Sequence, residues 1–326
     1  MSAEFPVIEL EVPSELGGER LDSALARLMP QHSRTRIKAW IEAGGVRVGR
    51  RQGRPSEHVD AGARITVRVL EPAIDAAAAV GAEAIALDIV HEDRDCLVID
   101  KPAGLVVHPG AGNAAHTLQN ALLGLDSRLA ALPRAGLIHR LDKDTSGLLV
   151  VARTPEAHTS LTRQLAARTV GRDYEAVCSG IMTGGGTIAE PIGRHRIDRL
   201  RMAVRQDGRP AVTHYRVLTR YRAHTHVAVK LETGRTHQIR LHLAFLRFPI
   251  VGDPVYGGRL RQPRGATVEL SAALRAFKRQ ALHAAGLAFD HPRTGERKAF
   301  TSPPPEDFAG LLSALSRDLR ESRDSA

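Results

Sequence analysis

The residues of this chain with the clearest chemical potential lie in one short polar segment. Residues 137–147 read Leu-Ile-His-Arg-Leu-Asp-Lys-Asp-Thr-Ser-Gly. Five ionisable residues fall within six positions of it: His139, Arg140, Asp142, Lys143 and Asp144. Apolar residues stand on both sides, so the segment is predicted to be a loop between two buried strands. A turn closed by Gly147 accounts for a few polar residues but does not need five charges. The segment is therefore a candidate functional site.

Two familiar uses of such a segment fit the chain poorly. The order His139-Arg140-Leu-Asp142 is similar to a protein kinase catalytic loop, but the chain has no glycine-rich phosphate loop and no Asp-Phe-Gly motif. His139, Asp142 and Asp144 could ligate a metal, yet no complementary ligand cluster is evident elsewhere in the sequence. We predict no metal site.

The remaining histidines and cysteines do not change this prediction. His224 and His226 are two apart and are expected to share one face of a strand. Cys96 and Cys178 stand alone in apolar surroundings, which excludes a disulfide framework and the paired spacing of a zinc site.

A second polar constellation follows at residues 231–242, Leu-Glu-Thr-Gly-Arg-Thr-His-Gln-Ile-Arg-Leu-His. A strand is predicted to end at Glu232, the chain to turn at Gly234, and a helix to begin with Arg235 and His237. Donor side chains and free backbone amides at a helix start favour an anion site. The alternative is that Arg235 and Arg240 make ordinary surface ion pairs.

The charge of the whole chain favours a polyanionic partner. The 326 residues carry 46 basic and 36 acidic side chains, a net charge of +10, and nearly all the basic residues are arginine. Arginine matches phosphate geometry, so nucleic acid is the predicted partner. No apolar run approaches the roughly 20 residues of a membrane helix, and the first residues lack an export signal. We expect a cytoplasmic protein without a membrane partner.

Much of this charge is concentrated near the N-terminus. Leucines at helical spacing up to Pro30, a second helix capped by Ser33, and short alternating strands at 46–48 and 65–69 predict a small compact unit. Between residues 34 and 54 one acidic residue stands against seven basic ones, and this basic cluster consists of Arg34, Arg36, Lys38, Arg47, Arg50, Arg51 and Arg54. So dense a cluster in so small a unit predicts an RNA or DNA contact surface.

The elements that must position the polar segments are mixed strands and helices without regular βαβ alternation. Strands are predicted at 89–100, 147–153, 174–178, 212–217 and 227–231, and helices near 156–168, 237–246 and 306–323. The predicted class is α+β with a largely antiparallel mixed sheet. The predicted division is a small domain with the basic cluster at 15–75, a linker at 76–86, a larger domain at 87–315 and a charged tail at 316–326.

Several of these segments together resemble the motifs of one enzyme family. The segments are 101–108 (Lys-Pro-Ala-Gly-Leu-Val-Val-His), 138–149, 172–176 (Arg-Asp-Tyr-Glu-Ala), 234–240 and 279–284. They resemble the RluA family of pseudouridine synthases. The loops at 107–113 and 251–258 are similar to those of its RluD-type members, which act on large-subunit ribosomal RNA. The N-terminal unit resembles the S4-type (αL) RNA-binding domain, although Val46-Arg-Val-Gly-Arg50 replaces the usual Val-x-Val-Asn-Gly turn.

The resemblance implies a function and assigns roles to residues. It implies isomerisation of specific uridines in 23S ribosomal RNA to pseudouridine, with base flipping and without a cofactor. The resemblance makes Asp142 the catalytic aspartate, Tyr174 the active-site tyrosine and Arg240 the basic partner of Asp142. The expected RNA-binding residues are Arg34, Arg36, Lys38, Arg47, Arg50, Arg51, Arg140, Arg235 and His237. Large-subunit particles are the alternative form of the substrate, and we expect a monomer.

Two other functional classes remain as alternatives. A non-catalytic RNA-binding or ribosome-assembly factor would use the same basic surface, but it has no need of a carboxylate that faces a polyanion. A glycoside hydrolase needs two carboxylates flanking the bond, and Asp142 and Asp144 show no division into acid and base.

Overall fold

The structure is a computed structural model that describes residues 7–30, 32, 34–69, 80–110, 113–198 and 201–324, the side chains of 34–36 excepted. The chain divides into two compact units, Met1–Ala79 and Val80–Ala326. Both contain helices and sheet, so the predicted α+β class is confirmed.

The N-terminal unit is a four-stranded antiparallel sheet with two helices. In chain order its elements are β1 (Val7–Glu11), α1 (Leu21–Leu28), α2 (Arg34–Glu42), β2 (Val46–Val48), β3 (Arg51–Gln52) and β4 (Arg64–Arg68). The sheet order is β1-β4-β2-β3. The predicted helical spacing holds because Leu21 and Leu25 of α1, and Ile37 and Ile41 of α2, are buried in one core. The expected cap Ser33 lies outside the described residues.

The second unit is organised around a nine-stranded sheet. Its strands are β5 (Asp88–Glu92), β6 (Cys96–Lys101), β7 (Ser146–Ala152), β8 (Gly171–Ser179), β9 (Gly186–Ile188), β12 (Thr213–Arg220), β13 (His224–Leu231), β14 (Leu282–Asp290) and β15 (Arg297–Thr301). The order is β5-β6-β7-β14-β8-β13-β12-β9, with β15 paired to β14. Among the pairs in this described sheet, β7 with β14 is parallel and the others are antiparallel, as the predicted mixed sheet requires.

A small second sheet and five α-helices complete the described part of this unit. The small sheet pairs β10 (Ile192–Arg194) with β11 (Met202–Val204). The helices are α3 (Leu118–Leu125), α4 (Pro155–Ala166), α5 (Gln238–Phe245), α6 (Val268–Ala276) and α7 (Glu306–Asp324). The sequence pattern did not predict α3, α6 or the strands β9–β11, β14 and β15.

The central strand β7 is buried on both faces, which fixes the loop that precedes it. Leu149 and Val151 point into one core, whereas Leu148 and Val150 point into a second core that includes Leu161 of α4. A strand covered on both sides is a rigid support for a polar loop at its start.

Two local predictions were wrong in detail. The residues before the polar loop do not form a strand: a 3-10 helix spans Pro133–Gly136, and Leu137 makes a single bridge to Val151. Helix α5 begins at Gln238 rather than near Arg235, because His237 has the left-handed backbone (φ 55°) of a residue outside the helix.

The structure describes parts of two segments that the sequence placed outside the domains, the C-terminal tail and the linker. Residues 316–324, expected as a charged tail, continue α7, where Asp318 is 1% exposed and pairs with Arg222 at 3.2 Å. Of the linker expected at 76–86, residues 76–79 lie outside the described part, and Gly81 and Glu83 hydrogen-bond to Asn120 of α3. No described helix is long and apolar enough to span a membrane.

Candidate active site

A buried lysine holds the backbone of the loop that carries Asp142. Lys101, at the end of β6, is fully buried, and its Nζ donates to the carbonyl oxygens of Pro102 (2.6 Å), Leu105 (3.0 Å) and Lys143 (2.9 Å). The three acceptors match the three N–H groups of an ammonium. Lys101 therefore fixes the backbone next to Asp142.

A glycine at the end of the same loop allows β7 to meet β14. Gly147 has φ 112°, and a Cβ there would lie 2.3 Å from the carbonyl oxygen of Ala284. Another residue at this position would force the strands apart, so the glycine is needed for the close approach and not only for a turn.

Asp142 and Arg240 meet across 98 residues of sequence. Arg240, in the first turn of α5, donates from Nη1 to Oδ2 of Asp142 at 3.0 Å. Its Nε and Nη2 donate to the two oxygens of Asp253 at 2.8 and 2.9 Å. Burial alone would lower the pKa of Arg240, but the two carboxylates raise it. The guanidinium is thus a permanent cation that fixes the direction of Asp142.

Tyr174 lies on β8 and faces the same cavity as Asp142. It is 7% exposed, and burial, together with the charge of Asp142, raises the pKa of its phenol to about 12. The phenol is therefore neutral at pH 7 and presents an aromatic ring to the cavity. The cavity has a volume of about 530 Å³, and Asp142, Tyr174 and Arg240 all line it. That volume is in the range of ligand-binding clefts.

Three of the expected RNA-binding residues also line this cavity: Arg140, Arg235 and His237. Arg140 is exposed beside Asp142, whereas Nε of Arg235 donates to the carbonyl of Pro210 at 3.1 Å. The ring of His237 is in hydrogen-bond contact with the Tyr256 hydroxyl at 3.0 Å. Burial lowers the pKa of His237, which favours its neutral form.

The expected free amides at the helix start are partly occupied. The backbone N–H of Arg235 donates to Oε1 of Gln238 at 3.0 Å. This N–H is therefore not free to bind an anion.

The expected RNA-binding residues of the N-terminal unit lie on its surface where they are described. The side chains of Arg34 and Arg36 lie outside the described residues. Lys38 pairs with Glu42 at 3.4 Å, and Arg51 pairs with Glu57 at 2.7 Å. Arg47 and Arg50 are exposed and have no carboxylate partner within the described part of the chain. Together with the equally exposed Arg54, they are the most available cations among the described side chains of the basic cluster.

Sequence reasoning missed four side chains that build this site: Lys101, Arg172, Asp253 and Tyr256. Asp253 and Tyr256 lie in a Gly/Pro-rich loop that suggested only a turn, and Arg172 lay in a motif from which only Tyr174 was taken. The sequence offered no separate signal for Asp253, because an aspartate before Pro254 is typical of a turn and its burial appears only in the structure.

Groups that could hold a metal occur elsewhere among the described residues. They are His91 with Asp93 and Cys96, and Asp93 with Asp95 and His291. Arg293 donates to both oxygens of Asp95 at 2.7 Å, so an arginine of the protein already neutralises one carboxylate of this cluster. Neither group includes a residue that lines the cavity of Asp142.

Comparison with known proteins identifies both units. The family described as RNA pseudouridylate synthase matches residues 95–245, and the S4 domain matches residues 19–65. The chain is 56% identical over 308 residues to "Ribosomal large subunit pseudouridine synthase D" of Pseudomonas aeruginosa, covering 94% of this chain and 95% of that protein. It is 52% identical to the protein of the same name from Xanthomonas campestris, covering 97% and 94%.

A solved structure supports the same relationship. "Human RNA Pseudouridylate Synthase Domain Containing 4" superposes with a TM-score of 0.55 at 27% identity, covering 70% of this chain and 93% of that one.

Proposed function

Because the chain belongs to the RNA pseudouridine synthases, we propose that it converts specific uridines of 23S, large-subunit ribosomal RNA to pseudouridine with Asp142 as the catalytic residue and without a cofactor. The choice of large-subunit RNA follows the printed names of the relatives that match almost the whole chain. The observation that carries the role of Asp142 is its carboxylate, held by Arg240 at 3.0 Å in a cavity that Tyr174 also lines.

The reaction needs a pocket for one extruded base. The bond between C1′ of the ribose and N1 of uracil breaks, the base turns, and C1′ joins C5. A base inside a helix cannot be reached, so the nucleotide must leave its stack and enter the cavity. Arg140, exposed at the rim beside Asp142, is the residue we propose to occupy the space that the nucleotide leaves.

Each of the three site residues has a separate task in this proposal. Asp142 acts at the sugar, either as the nucleophile at C1′ or as a base, and Arg240 keeps it directed at the ribose. The ring of Tyr174 stacks on the uracil. The atoms balance without a redox step, because the proton lost from C5 is replaced by one gained at N1.

RNA outside the cavity is held by positive charge. We propose that the surface with Arg47 and Arg50, together with the other basic residues of the S4 domain, binds phosphates. One chain supplies all three site residues, Asp142, Tyr174 and Arg240, which supports activity as a monomer. A ribosomal RNA substrate supports a cytoplasmic location. Elution volume on size exclusion at micromolar concentration tests the first of these.

The decisive experiment compares Asp142→Asn with the neighbouring Asp144→Asn. Both variants are incubated with 23S RNA transcript and with large-subunit particles that lack pseudouridine, and pseudouridines are mapped by carbodiimide modification. We expect Asp142→Asn to bind RNA and to form no product, and Asp144→Asn to stay active. Turnover of Asp142→Asn within about tenfold of wild type, about 1.4 kcal/mol of barrier, would exclude the assignment. If wild type binds RNA but isomerises neither substrate, the chain is an RNA-binding assembly factor.

Treatment of the enzyme with a chelator tests the absence of a cofactor. The protein is incubated with the chelator, which is removed before RNA and its magnesium are added. Wild-type turnover is expected to stay unchanged, since every step of the proposal uses protein side chains. Loss of turnover that added metal restores would show that a metal is required.

A further inference from the structure

Arg172 is a buried cation in the active-site cavity that no carboxylate neutralises. It lies on β8, is 6% exposed, and lines the cavity together with Asp142. Its Nη2 donates to the carbonyl oxygen of Glu232 at 3.2 Å, whereas its buried Nε has no hydrogen-bond partner. No ion pair joins it to any described residue. Because an arginine remains protonated at neutral pH, this side chain brings a full positive charge into the cavity.

A buried charge without a partner lowers the stability of the fold. An unpaired guanidinium in a cavity therefore indicates that a bound ligand pairs with it. Arg240 provides the comparison within the same site: two carboxylates already bind it. The charge of Arg240 is therefore directed at protein groups, and that of Arg172 is free for a substrate. The neighbouring ring of His139 offers no counter-charge: burial, together with the charge of Arg172, lowers its pKa to about 3, so it is neutral at pH 7.

The local structure keeps space for this guanidinium. Arg172 and Tyr174 are two residues apart on one strand, so both point from the same face of β8. On the opposite wall Gly234 leaves an opening: a Cβ at that position would lie 2.6 Å from Nη1 of Arg172. Gly234 does not have the left-handed backbone that would itself require glycine. Its lack of a side chain is accounted for by the room that Arg172 needs.

We propose that Arg172 binds a carbonyl oxygen of the extruded uracil and stabilises the negative charge that the base acquires when its bond to C1′ breaks. This inference rests on the proposed function. When the C1′–N1 bond breaks, its electron pair goes to the base and is shared by N1, O2 and O4. A donor fixed at one of these oxygens acts as an oxyanion hole does. The pair of electrons that then joins C5 to C1′ comes from the base, which loses the C5 proton. Arg172 itself exchanges no proton.

The test uses Arg172→Met, with Arg168→Met as its matched control. Arg168 lines the rim of the same cavity but is half exposed and pairs with Glu232 at 3.1 Å. We expect Arg172→Met to lower kcat at least 100-fold, the effect of removing one oxyanion donor, with little change in KM. Arg168→Met should retain most of its kcat. A kcat of Arg172→Met within tenfold of wild type would overturn the proposal.

Two further readouts separate the uracil from other ligands. The salt dependence of RNA affinity should be the same in Arg172→Met and wild type, since a phosphate contact would reduce the slope by roughly 0.7 to 0.9. Target uridines carrying sulfur in place of O2 or O4 should slow wild type more than they slow the variant, because the variant has already lost the contact. If sulfur at O2 and sulfur at O4 each slow wild type and Arg172→Met equally, the ligand of Arg172 is not the base. A smaller salt slope in Arg172→Met would show the same.

Thermal unfolding distinguishes a substrate contact from a structural one. Methionine fills a similar volume without a buried charge, so Arg172→Met should melt at or above the temperature of wild type. If Arg172→Met does not fold, Arg172 is required for the structure, and the proposed role as a substrate ligand is contradicted. Gly234→Ala provides an independent variant, because it displaces the guanidinium without removing it, and it should also lower kcat. Wild-type turnover in the same assay keeps this inference separate from the proposed function: inactive wild type contradicts the function, whereas equally active wild type and Arg172→Met contradict only the role of Arg172.

Discussion

Asp253 holds Arg240 by both of its carboxylate oxygens, at 2.8 and 2.9 Å, and this pairing decides where the third bond of the guanidinium points. The side chain of Asp253 is fully buried, and its Oδ1 also accepts the backbone N–H groups of Val255 and Tyr256. The remaining Nη1 of Arg240 is thus aimed at Asp142. Through Arg240, the loop at 251–258 that follows α5 thus orients the carboxylate of Asp142, which we propose to be catalytic.

Asp253→Asn should therefore impair catalysis although Asp253 does not line the cavity of Asp142. Asparagine keeps an oxygen for the backbone donors but removes the charge and one acceptor, so Arg240 can rotate. We expect kcat to fall about 10- to 100-fold and stability to fall by about 3 kcal/mol, as when one partner of a buried pair is lost. Steady-state kinetics and thermal melts measure both. Asp207→Asn is the control, because Asp207 binds Arg205 through both oxygens on the surface; an equal effect there would show that orientation of Arg240 is unimportant.

Arg240→Ala should lower turnover far more than Arg235→Ala. Arg240 contacts Asp142 directly, whereas the described contact of Arg235 is with the backbone of Pro210. We expect at least a 100-fold difference in kcat between the two variants, which is about 2.7 kcal/mol of barrier. Arg240→Lys should recover little, since an ammonium cannot bind Asp253 and Asp142 as a planar fork does. Comparable losses in the two alanine variants would contradict the pairing as the source of activity.

Removal of residues 1–79 should weaken RNA binding without destroying the chemistry. These residues form the unit that carries the basic cluster, and Asp142, Tyr174 and Arg240 lie in the other unit. If three to five phosphate contacts are lost, the slope of log affinity against log salt should flatten by roughly 0.7 to 0.9 per contact. Turnover at saturating RNA should fall much less than affinity.

Single variants within the intact chain refine this test. Arg47→Ala and Arg50→Ala remove exposed unpaired cations, whereas Arg27→Ala removes one that pairs with Glu19 at 2.6 Å. Only the first two should change the salt slope. An unchanged slope in both, and in the truncated protein, would mean that the N-terminal unit does not contact phosphates.

A buried histidine should make the fold sensitive to mild acid. His224, at the start of β13, is 1% exposed, and burial lowers its pKa from 6.5 to about 4. Below pH 6.5 the unfolded chain takes up a proton that the folded chain refuses, so stability is lost as pH falls toward 4. At pH 5 the loss from this residue is about 2 kcal/mol.

Melting temperatures between pH 5 and 8 test this contribution. His224→Leu cannot titrate, so its stability relative to wild type should improve as pH falls from 7 to 5. Leucine at the exposed His58 is the control and should follow the wild-type curve. Parallel curves for all three proteins would show that His224 does not contribute to acid sensitivity.

The sequence by itself determined the composition of the site and the nature of the two units. The helices α1, α2 and α7 follow from apolar spacing, since a helix face must be buried whatever it packs against. The polar residues 139–144 predicted a functional loop because five ionisable groups at the start of a buried strand are costly to desolvate. Such a cluster therefore indicates a binding or catalytic role. The resemblance of these and four other segments to one family is specific because each segment combines several residues.

The tertiary structure decided which of these residues meet and which are left unpaired. The contact of Asp142 with Arg240 spans 98 residues, and it depends on the strand order β7-β14-β8-β13, which no local pattern encodes. The same holds for Asp253, which local sequence marks only as part of a turn. Arg172 belongs to the motif at 172–176, but nothing in that motif marks it as buried or unpaired. Its burial beside Gly234, without an ion pair to any described residue, arises only when separate strands enclose one cavity. Burial and charge pairing are properties of the neighbours that folding assembles around a side chain.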